Sequence, residues 1–161
     1  MMKKLFILMV AALCFQVQSY ASELIEISMN AQGKYVNTDG ELLTGNLTTY
    51  YDDGSVESVF NVIDGVKSGS MVVYNENGSL REVGCYNMGL KVGDWKSYNN
   101  MGQLESEAFY KNDMKHGTWK VWDSNGVLRS EFNFKKGERT GVWKSYDENG
   151  KLIESVDYNK K

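Results

Sequence analysis

The stretch Gly93–Leu104, GDWKSYNNMGQL, returns as GTWKVWDSNGVL at Gly117–Leu128 and as GVWKSYDENGKL at Gly141–Leu152. The copies are 24 residues apart, and weaker copies open at Gly45 and Gly69 in the same register. A fixed period of roughly 20–50 residues is the mark of a repeat architecture. We therefore predict five consecutive structural units rather than one irregular core.

The same residue classes recur at the same places in every unit. They form two glycine columns, an aliphatic column and two largely aromatic columns: Gly45, Gly69, Gly93, Gly117, Gly141; Gly54, Gly78, Gly102, Gly126, Gly150; Val56, Leu80, Leu104, Leu128, Leu152; Tyr50, Tyr74, Tyr98, Trp122, Tyr146; and Val62, Tyr86, Tyr110, Phe134, Tyr158. A further column holds Leu47, Met71, Trp95, Trp119 and Trp143. This spacing indicates side chains that pack from unit to unit along a stack.

Each unit has the length and patterning of two strands and two turns. The segments NNMG, DSNG and DENG place Asn or Asp first and Gly fourth, which is typical of a type I turn followed by a left-handed glycine. Apolar and polar residues then alternate, as at Leu128–Phe134, which indicates a half-buried strand. A short second turn follows, and no segment has a helical period. The sequence therefore predicts an all-β fold, a repetitive antiparallel β-meander of about ten strands built from five 24-residue hairpin repeats.

Trp95 and Tyr98 are three residues apart, which in a regular strand places their side chains on opposite faces of a sheet. A bulge between them would bring both side chains to the face of Leu104. We favour the bulge because it gathers the aromatic residues on one face.

The start of the chain resembles a helical signal peptide. Lys3 and Lys4 form a basic beginning, Leu5–Phe15 is apolar, and small residues precede a cleavage site between Ala21 and Ser22. An uncleaved anchor is the alternative. The apolar run is too short to span a bilayer, and no later segment is apolar enough to do so. We expect export to the periplasm, the cell envelope or the medium. The predicted divisions are a signal peptide over 1–21, an N-terminal cap over 22–34 and a repeat domain over 35–161.

Charge is distributed unevenly along the chain. The net charge is −3, and removal of Lys3 and Lys4 would make it −5. Residues 22–90 hold ten acids and three bases, a net of −7, whereas residues 91–161 hold eleven acids and thirteen bases, a net of +2. An acidic total gives no support for nucleic-acid binding.

The predicted mature chain has one cysteine, Cys85, and one histidine, His116, which we expect in a turn. A single cysteine cannot form an internal disulfide, so Cys85 is either a buried apolar residue or an intermolecular link, and we favour burial. One histidine and one cysteine cannot build a His/Cys zinc site, and the acidic turns lack the calcium-loop pattern. We predict no catalytic residue, no metal site, no cofactor and no enzymatic activity.

The string G-x-W-x-x-Y-x-x-x-G-x-L, with an aromatic residue six places after the leucine, resembles the MORN-repeat variant, a family whose bacterial members are often called YwqK-family antitoxins. The segment Leu42–Asn46, LLTGN, also looks like the family's usual opening. The resemblance covers Tyr35–Tyr158. It implies a β-meander of hairpins that serves as a scaffold or contact surface, and it carries over no catalytic residue.

Two surface features are candidates for binding. The first is an aromatic ridge whose largest members are Trp95, Trp119, Trp122 and Trp143. Packing between strands would explain such a ridge, and so would an uncovered face that binds a protein, a glycan or a lipid. Both explanations stay open at this point.

The second feature is a basic column in one row of turns, opposite a row of acidic turns. The column consists of Lys67, Lys91, Lys115 and Arg139. It is either a solvated edge or a ladder of cations that faces an acidic partner or anionic headgroups. The leading hypothesis is an exported module that binds another protein through its sheet, with an antitoxin or immunity role as a special case. The alternative is a module that binds envelope glycan or lipid through its aromatic face.

Overall fold

A computed structural model describes residues 27–160 and the backbone of residues 6–9. Its main sheet has eleven strands, whose order in the sheet is their order in the chain, and β2 and β3 form a separate two-stranded hairpin. The strands are β1 (Phe6–Met9), β2 (Ser28–Met29), β3 (Tyr35–Val36), β4 (Gly45–Tyr50), β5 (Val56–Ile63), β6 (Val66–Tyr74), β7 (Leu80–Asn87), β8 (Leu90–Tyr98), β9 (Leu104–Lys111), β10 (Met114–Trp122), β11 (Leu128–Lys135), β12 (Glu138–Tyr146) and β13 (Leu152–Asp157).

Strands β4 to β13 form the predicted ten-stranded antiparallel meander, with two strands to each unit. The strands β4, β6, β8, β10 and β12 carry the opening glycine of a unit and are called glycine strands. The strands β5, β7, β9, β11 and β13 begin at the aliphatic column and are called leucine strands. The all-β prediction is confirmed, and residues 27–160 contain no helix.

Most of the predicted signal-peptide helix falls outside the described residues. Four of its residues, Phe6–Met9, form β1 rather than a helix, and β1 pairs antiparallel with β4 at the N-terminal edge of the main sheet. The edge of β4 presents a row of backbone N–H and C=O groups, which an extended segment satisfies by pairing with them. The helical prediction is therefore wrong for these four residues.

Both kinds of turn use residues in the left-handed conformation. A glycine strand connects to the next leucine strand through the predicted turn, as where the N–H of Gly102 (φ +77°) donates to the carbonyl of Asn99 at 2.9 Å. A leucine strand connects to the next glycine strand through a two-residue turn with positive φ at both positions, as at Met88 (48°) and Gly89 (83°). This type I′ geometry has the twist that a hairpin requires.

The glycine strands from β6 onward contain a bulge at the opening glycine. In the third unit β8 advances four residues, from Val92 to Lys96, while β7 advances two. Gly93 has φ +69°, which glycine adopts without the steric cost of a Cβ atom. Beside this bulge Trp95 lies across Gly84, where an added Cβ would come within 2.3 Å of the indole ring.

Trp95 and Tyr98 lie on opposite faces of the sheet, contrary to the expectation from the sequence. The register shift at Tyr98 places the extra residue on β9, so β8 continues regularly from one side chain to the other. In the fifth unit the hydroxyl of Tyr146 donates a 2.6 Å hydrogen bond to Glu131, on the face opposite to Trp143. The tyrosine column thus belongs to the opposite face, and the face of the tryptophan column is called the aromatic face.

The buried core lies in the N-terminal units. Its members are Ile27, Leu43, Leu47, Phe60, Val62, Met71, Val73 and Trp95. The segment before β4 is tied to the first two-residue turn, because Tyr35 donates its N–H to the carbonyl of Gly65 at 2.8 Å and Gly65 donates to the carbonyl of Leu43 at 2.8 Å. Tyr35 also packs its ring 5.4 Å from that of Phe60, so this segment encloses the first units.

Candidate functional site

The aromatic columns make one continuous series of ring contacts on the aromatic face. Neighbouring ring centroids are 4.8–6.0 Å apart. The series runs Tyr86, Trp95, Tyr110, Trp119, Phe134, Trp143 and Tyr158. Edge-to-face and tilted contacts each stabilise by about 0.5–1.5 kcal/mol beyond the area they bury. Packing between strands is therefore one role of this ridge.

The predicted basic column lies on the same rings. Each cation stands over two aromatic rings, so the two features predicted separately form one surface. The distances to the ring centroids are 4.6 and 5.3 Å for Lys67 (Phe60, Tyr86), 3.8 and 5.3 Å for Lys91 (Trp95, Tyr110), 4.4 and 5.1 Å for Lys115 (Trp119, Phe134), and 4.6 and 5.5 Å for Arg139 (Trp143, Tyr158). Cations within about 6 Å of a ring centroid are attracted by the electron density of its face.

Backbone hydrogen bonds hold this basic column in line. The carbonyls of Lys67, Lys91 and Lys115 each accept an N–H from the next two-residue turn, at 2.7, 3.0 and 2.8 Å. The side chain of Asp113 in one of these turns also accepts the N–H of Lys91 at 2.7 Å. Strands two apart in a sheet are separated by about 10 Å, so the cations recur at roughly that spacing.

The two ends of the basic column differ electrostatically. Burial is the main cause that lowers the pKa of Lys67, and the positive charge of Lys91 lowers it further. Glu82 raises that pKa, and its carboxylate also lies 3.8 Å from Nζ of Lys91. Lys115 and Arg139 are exposed and have no salt bridge within residues 27–160. The C-terminal half of the column therefore presents the positive charge that a partner can neutralise.

The three aligned tryptophans are not equivalent. Nε1 of Trp119 donates to the carbonyl of Phe109 at 3.1 Å, and Nε1 of Trp143 donates to the carbonyl of Asn133 at 2.9 Å. Trp95 is 3% exposed, and in the described part of the chain its Nε1 is the one buried side-chain nitrogen or oxygen with no partner. Trp95 is a core residue that no ligand can reach, whereas Trp119 and Trp143 keep half-exposed edges.

Trp122 does not join the other three tryptophans. It occupies the tyrosine column, and β10 is regular from Trp119 to Val121, so the three-residue spacing turns its side chain to the opposite face. The prediction that groups Trp122 with the aromatic ridge is therefore wrong.

Cys85 is a free, exposed thiol, so the preference for burial is also wrong. Its neighbour Gly84 lies beneath Trp95 on the aromatic face. Side chains alternate along a strand, which directs Cys85 to the opposite face, where no described segment covers it.

The remaining residues that could serve in catalysis or metal binding make hydrogen bonds to the backbone of neighbouring turns. His116 belongs to β10 rather than to a turn, and its Nδ1 accepts the N–H of Lys136 at 3.5 Å. In the acidic row of turns, Asp123 accepts the N–H of Val127 at 3.0 Å, which is the main cause that lowers its pKa. No group of three or more His, Cys, Asp or Glu within residues 27–160 is placed to hold a metal ion.

The predicted cleavage residues, Ala21 and Ser22, lie outside the described residues. The described residues include no helix with the length and apolar character needed to cross a membrane.

Three segments of the chain, residues 91–112, 115–136 and 139–160, match the MORN repeat variant family. Each match begins at a cation of the basic column: Lys91, Lys115 or Arg139. The two earlier units, in which Leu47 and Met71 replace the tryptophan, lie outside the matched residues. No curated protein is similar to this chain at a significant level.

Among solved structures, the chain is similar to one from the crystal structure of the GtfA/B complex bound to UDP and GlcNAc. The sequence identity is 12% and the TM-score is 0.29, over 87% of this chain and 25% of that chain. The present chain thus spans about a quarter of that protein's length. At this score the similarity has no bearing on function.

Proposed function

Residues 91–160 contain three consecutive MORN-variant repeats, and from that premise we propose that this chain is an exported, non-enzymatic module that binds another protein through its aromatic face. The row of cations carries the proposal. Lys67, Lys91, Lys115 and Arg139 recur once in each of the first four units, and each is held against two rings. A partner with acidic groups in a similar row would be complementary to them.

Preorganisation supports a binding role for this face. Stacking on the rings and the backbone hydrogen bonds to the column reduce the freedom that these long side chains would lose on binding. Positive charge at Lys115 and Arg139 would also guide an acidic partner to this face and exclude basic competitors. The broad, regular face suits a protein surface better than a small substrate, which requires a concave pocket.

The leader supports the proposed location. A basic start at Lys3 and Lys4, an apolar run and small residues before Ser22 are the features that export machinery and signal peptidase recognise. The partner would then be an envelope or secreted protein. An immunity role would follow if that partner were a toxin.

Capture from a native envelope extract tests the proposal. Tagged protein is incubated with the extract near physiological salt, and bound proteins are identified by mass spectrometry. We expect one partner in stoichiometric amount, and we expect the double variant Lys115→Glu, Arg139→Glu to lose it. The matched control, Lys120→Glu with Lys151→Glu, makes the same change in net charge away from the basic column and should retain the partner.

Equal capture by both double variants would exclude the basic column as the binding surface. Charge reversal is a sharper test than removal of Trp119 or Trp143, because those residues also hold neighbouring strands together. A circular dichroism spectrum of each variant confirms that the sheet is intact.

Binding of an envelope glycan or lipid is the second candidate function. It is favoured by the C-terminal end of the ridge, where Arg139 stands over Trp143 and Tyr158, because a cation beside half-exposed rings suits both sugars and anionic headgroups. This function predicts that the purified protein cosediments with cell wall or with anionic liposomes when no other protein is present. Cosedimentation no greater than that of a control protein would remove this candidate.

A further inference from the structure

The two edge strands of the meander, β4 and β13, belong to the two strand types that pair with each other at every junction between units. Inside the sheet every leucine strand is followed by a glycine strand, and the pairs β5–β6, β7–β8, β9–β10 and β11–β12 are antiparallel. Strand β13 is a leucine strand that pairs only with β12 among the described strands, so it is one edge of the described sheet. Strand β4 is a glycine strand that no repeat unit precedes.

Strand β1 stands in the place of the missing leucine strand. Its register with β4 is Phe6–Thr49, Ile7–Thr48 and Leu8–Leu47. The internal junction between β5 and β6 has the register Ser58–Val73, Val59–Val72 and Phe60–Met71. Subtracting the 24-residue period from the β6 residues gives Thr49, Thr48 and Leu47, so β1 pairs with the stretch of β4 that corresponds to the stretch of β6 paired with β5. The edge of β4 therefore accepts an antiparallel strand that is not its neighbour in sequence.

The strand β1 belongs to the leader that the proposed export would remove. Cleavage between Ala21 and Ser22 would leave the backbone groups along the edge of β4 without a partner. All other described strand pairings, and the whole apolar core, lie within residues 27–160. A chain that starts at Ser22 thus retains what folds it and gains a second open edge.

Strand β13 carries the groups needed to occupy that edge. The N–H of Tyr158 donates to the carbonyl of Gly141 on β12, and backbone groups alternate along a strand, so the N–H groups of Ser155 and Asp157 point away from β12. The apolar side chains of Leu152, Ile153 and Val156 on this strand are 48%, 64% and 41% exposed. Long exposed edges with apolar residues pair readily with another chain.

We propose that removal of the leader lets β13 of one copy pair with β4 of a second copy, which continues the repeat register from molecule to molecule. The expected pairs are Glu154–Thr49, Ser155–Thr48 and Val156–Leu47. Charge supports this order, because residues 22–90 carry a net of −7 and residues 91–161 a net of +2. Two different edges meet in this contact, so the product is an open head-to-tail chain rather than a closed dimer.

This inference rests on the proposed export in one respect, namely that export removes the leader that contains β1. Its test therefore uses residues 22–161 produced without a leader, studied by sedimentation velocity over a wide range of concentration. We expect a mass that rises with concentration beyond that of a dimer. A chain that stays monomeric throughout would overturn the inference.

Proline variants identify the two edges. Ser155→Pro removes an outward N–H from β13, and Thr48→Pro removes the corresponding outward N–H from β4, without loss of a hydrogen bond inside the sheet. Each variant alone should be monomeric, and an equimolar mixture should form a one-to-one complex and nothing larger. The variant Ser155→Ala keeps its N–H and should assemble like the parent.

Two outcomes would contradict the head-to-tail arrangement. Dimers of Thr48→Pro alone would indicate pairing of β13 with β13, and dimers of Ser155→Pro alone would indicate pairing of β4 with β4. Circular dichroism and thermal unfolding of the single variants show whether they remain folded.

A separate binding experiment tests whether the leader blocks assembly. The full chain, synthesised without signal peptidase, should fail to bind Thr48→Pro of the leaderless chain, because β1 occupies its β4 edge. Equal binding would remove the gating role of β1. The intact mass of the protein in its own cells decides the proposed cleavage independently, so failure of export and failure of assembly are distinguishable.

Discussion

The N-terminal and C-terminal units share one repeat but are stabilised in different ways. Within residues 27–160, all nine buried apolar residues lie between Ile27 and Trp95, and no residue from 96 to 160 is buried. The early units place Leu47 and Met71 at the tryptophan position and are enclosed by the segment before β4. No described segment covers the later units in this way, and tryptophans, tyrosines and cations lie side by side along the sheet.

The difference shows how one face of a single sheet can be shielded from water without a second layer. A large ring beside another ring buries apolar area within the sheet itself. The methylene stems of lysine and arginine then cover the rings while their charged ends remain in water. The same side chains that shield the later units are therefore the ones that a partner meets first.

Truncation of Leu47 should have the largest effect, because this residue is fully enclosed. Leu47→Ala loses apolar burial and leaves a cavity, so we expect a loss of about 2–5 kcal/mol in the free energy of unfolding, measured with urea. Val142→Ala in the later units shortens a side chain that is 36% exposed and should lower the free energy of unfolding far less. Similar losses in the two variants would show that the two regions are equally well packed.

Gly84→Ala should have the next largest effect. An added Cβ would meet the ring of Trp95 at 2.3 Å, so Trp95 must move, and we expect a loss of about 1–3 kcal/mol by the same urea measurement. In the next unit Ala108 already occupies the equivalent position. The reverse change there, Ala108→Gly, should cost no more than about 1 kcal/mol. A neutral Gly84→Ala would mean that Trp95 is not held against the backbone.

Lys115→Ala measures the contribution of one cation in the later units. Its Nζ lies 4.4 Å from the centroid of Trp119, and an exposed contact of this kind contributes about 0.5–1 kcal/mol. The variant Lys115→Met retains the apolar stem without the charge. If both variants unfold at the same urea concentration, the charge is responsible for the stabilisation; if Met restores stability, the stem is.

The smallest effect concerns pH. The hydrogen bond from Tyr146 is the main cause that lowers the pKa of Glu131 below its ordinary value of 4.5, and Lys144 contributes as well. A carboxyl with a lowered pKa stabilises the fold above its ordinary pKa, and this contribution is lost as pH falls through the lowered value. Tyr146→Phe should therefore weaken the loss of stability below pH 4.5, as seen in urea midpoints over that range. An unchanged acid profile would exclude this hydrogen bond as a source of stability.

The period of the sequence was sufficient to predict the meander, its turns and the line of cations, because these depend on which residues recur. It was not sufficient for the faces of Trp122 and Tyr98. The face on which each of these side chains lies depends on which of two paired strands carries the extra residue of a bulge. Both arrangements have the same sequence periodicity. The position of Cys85 also depends on whether a second layer covers its face. The stacking of each cation on two rings could have been found from the four-residue spacing of Lys91 and Trp95, had the bulge at Gly93 been anticipated.

The hydrogen bonds between successive turns have an evolutionary consequence. The turn at Gly89 bonds to Lys67 in the unit before it, and the turn at Gly137 bonds to Lys115 and His116 in the unit before it. Through these hydrogen bonds each unit contacts the unit directly before it. Duplication or deletion of 24 residues in register would therefore leave every remaining junction intact. Each duplicated unit would lengthen the sheet by about 10 Å, the width of two strands.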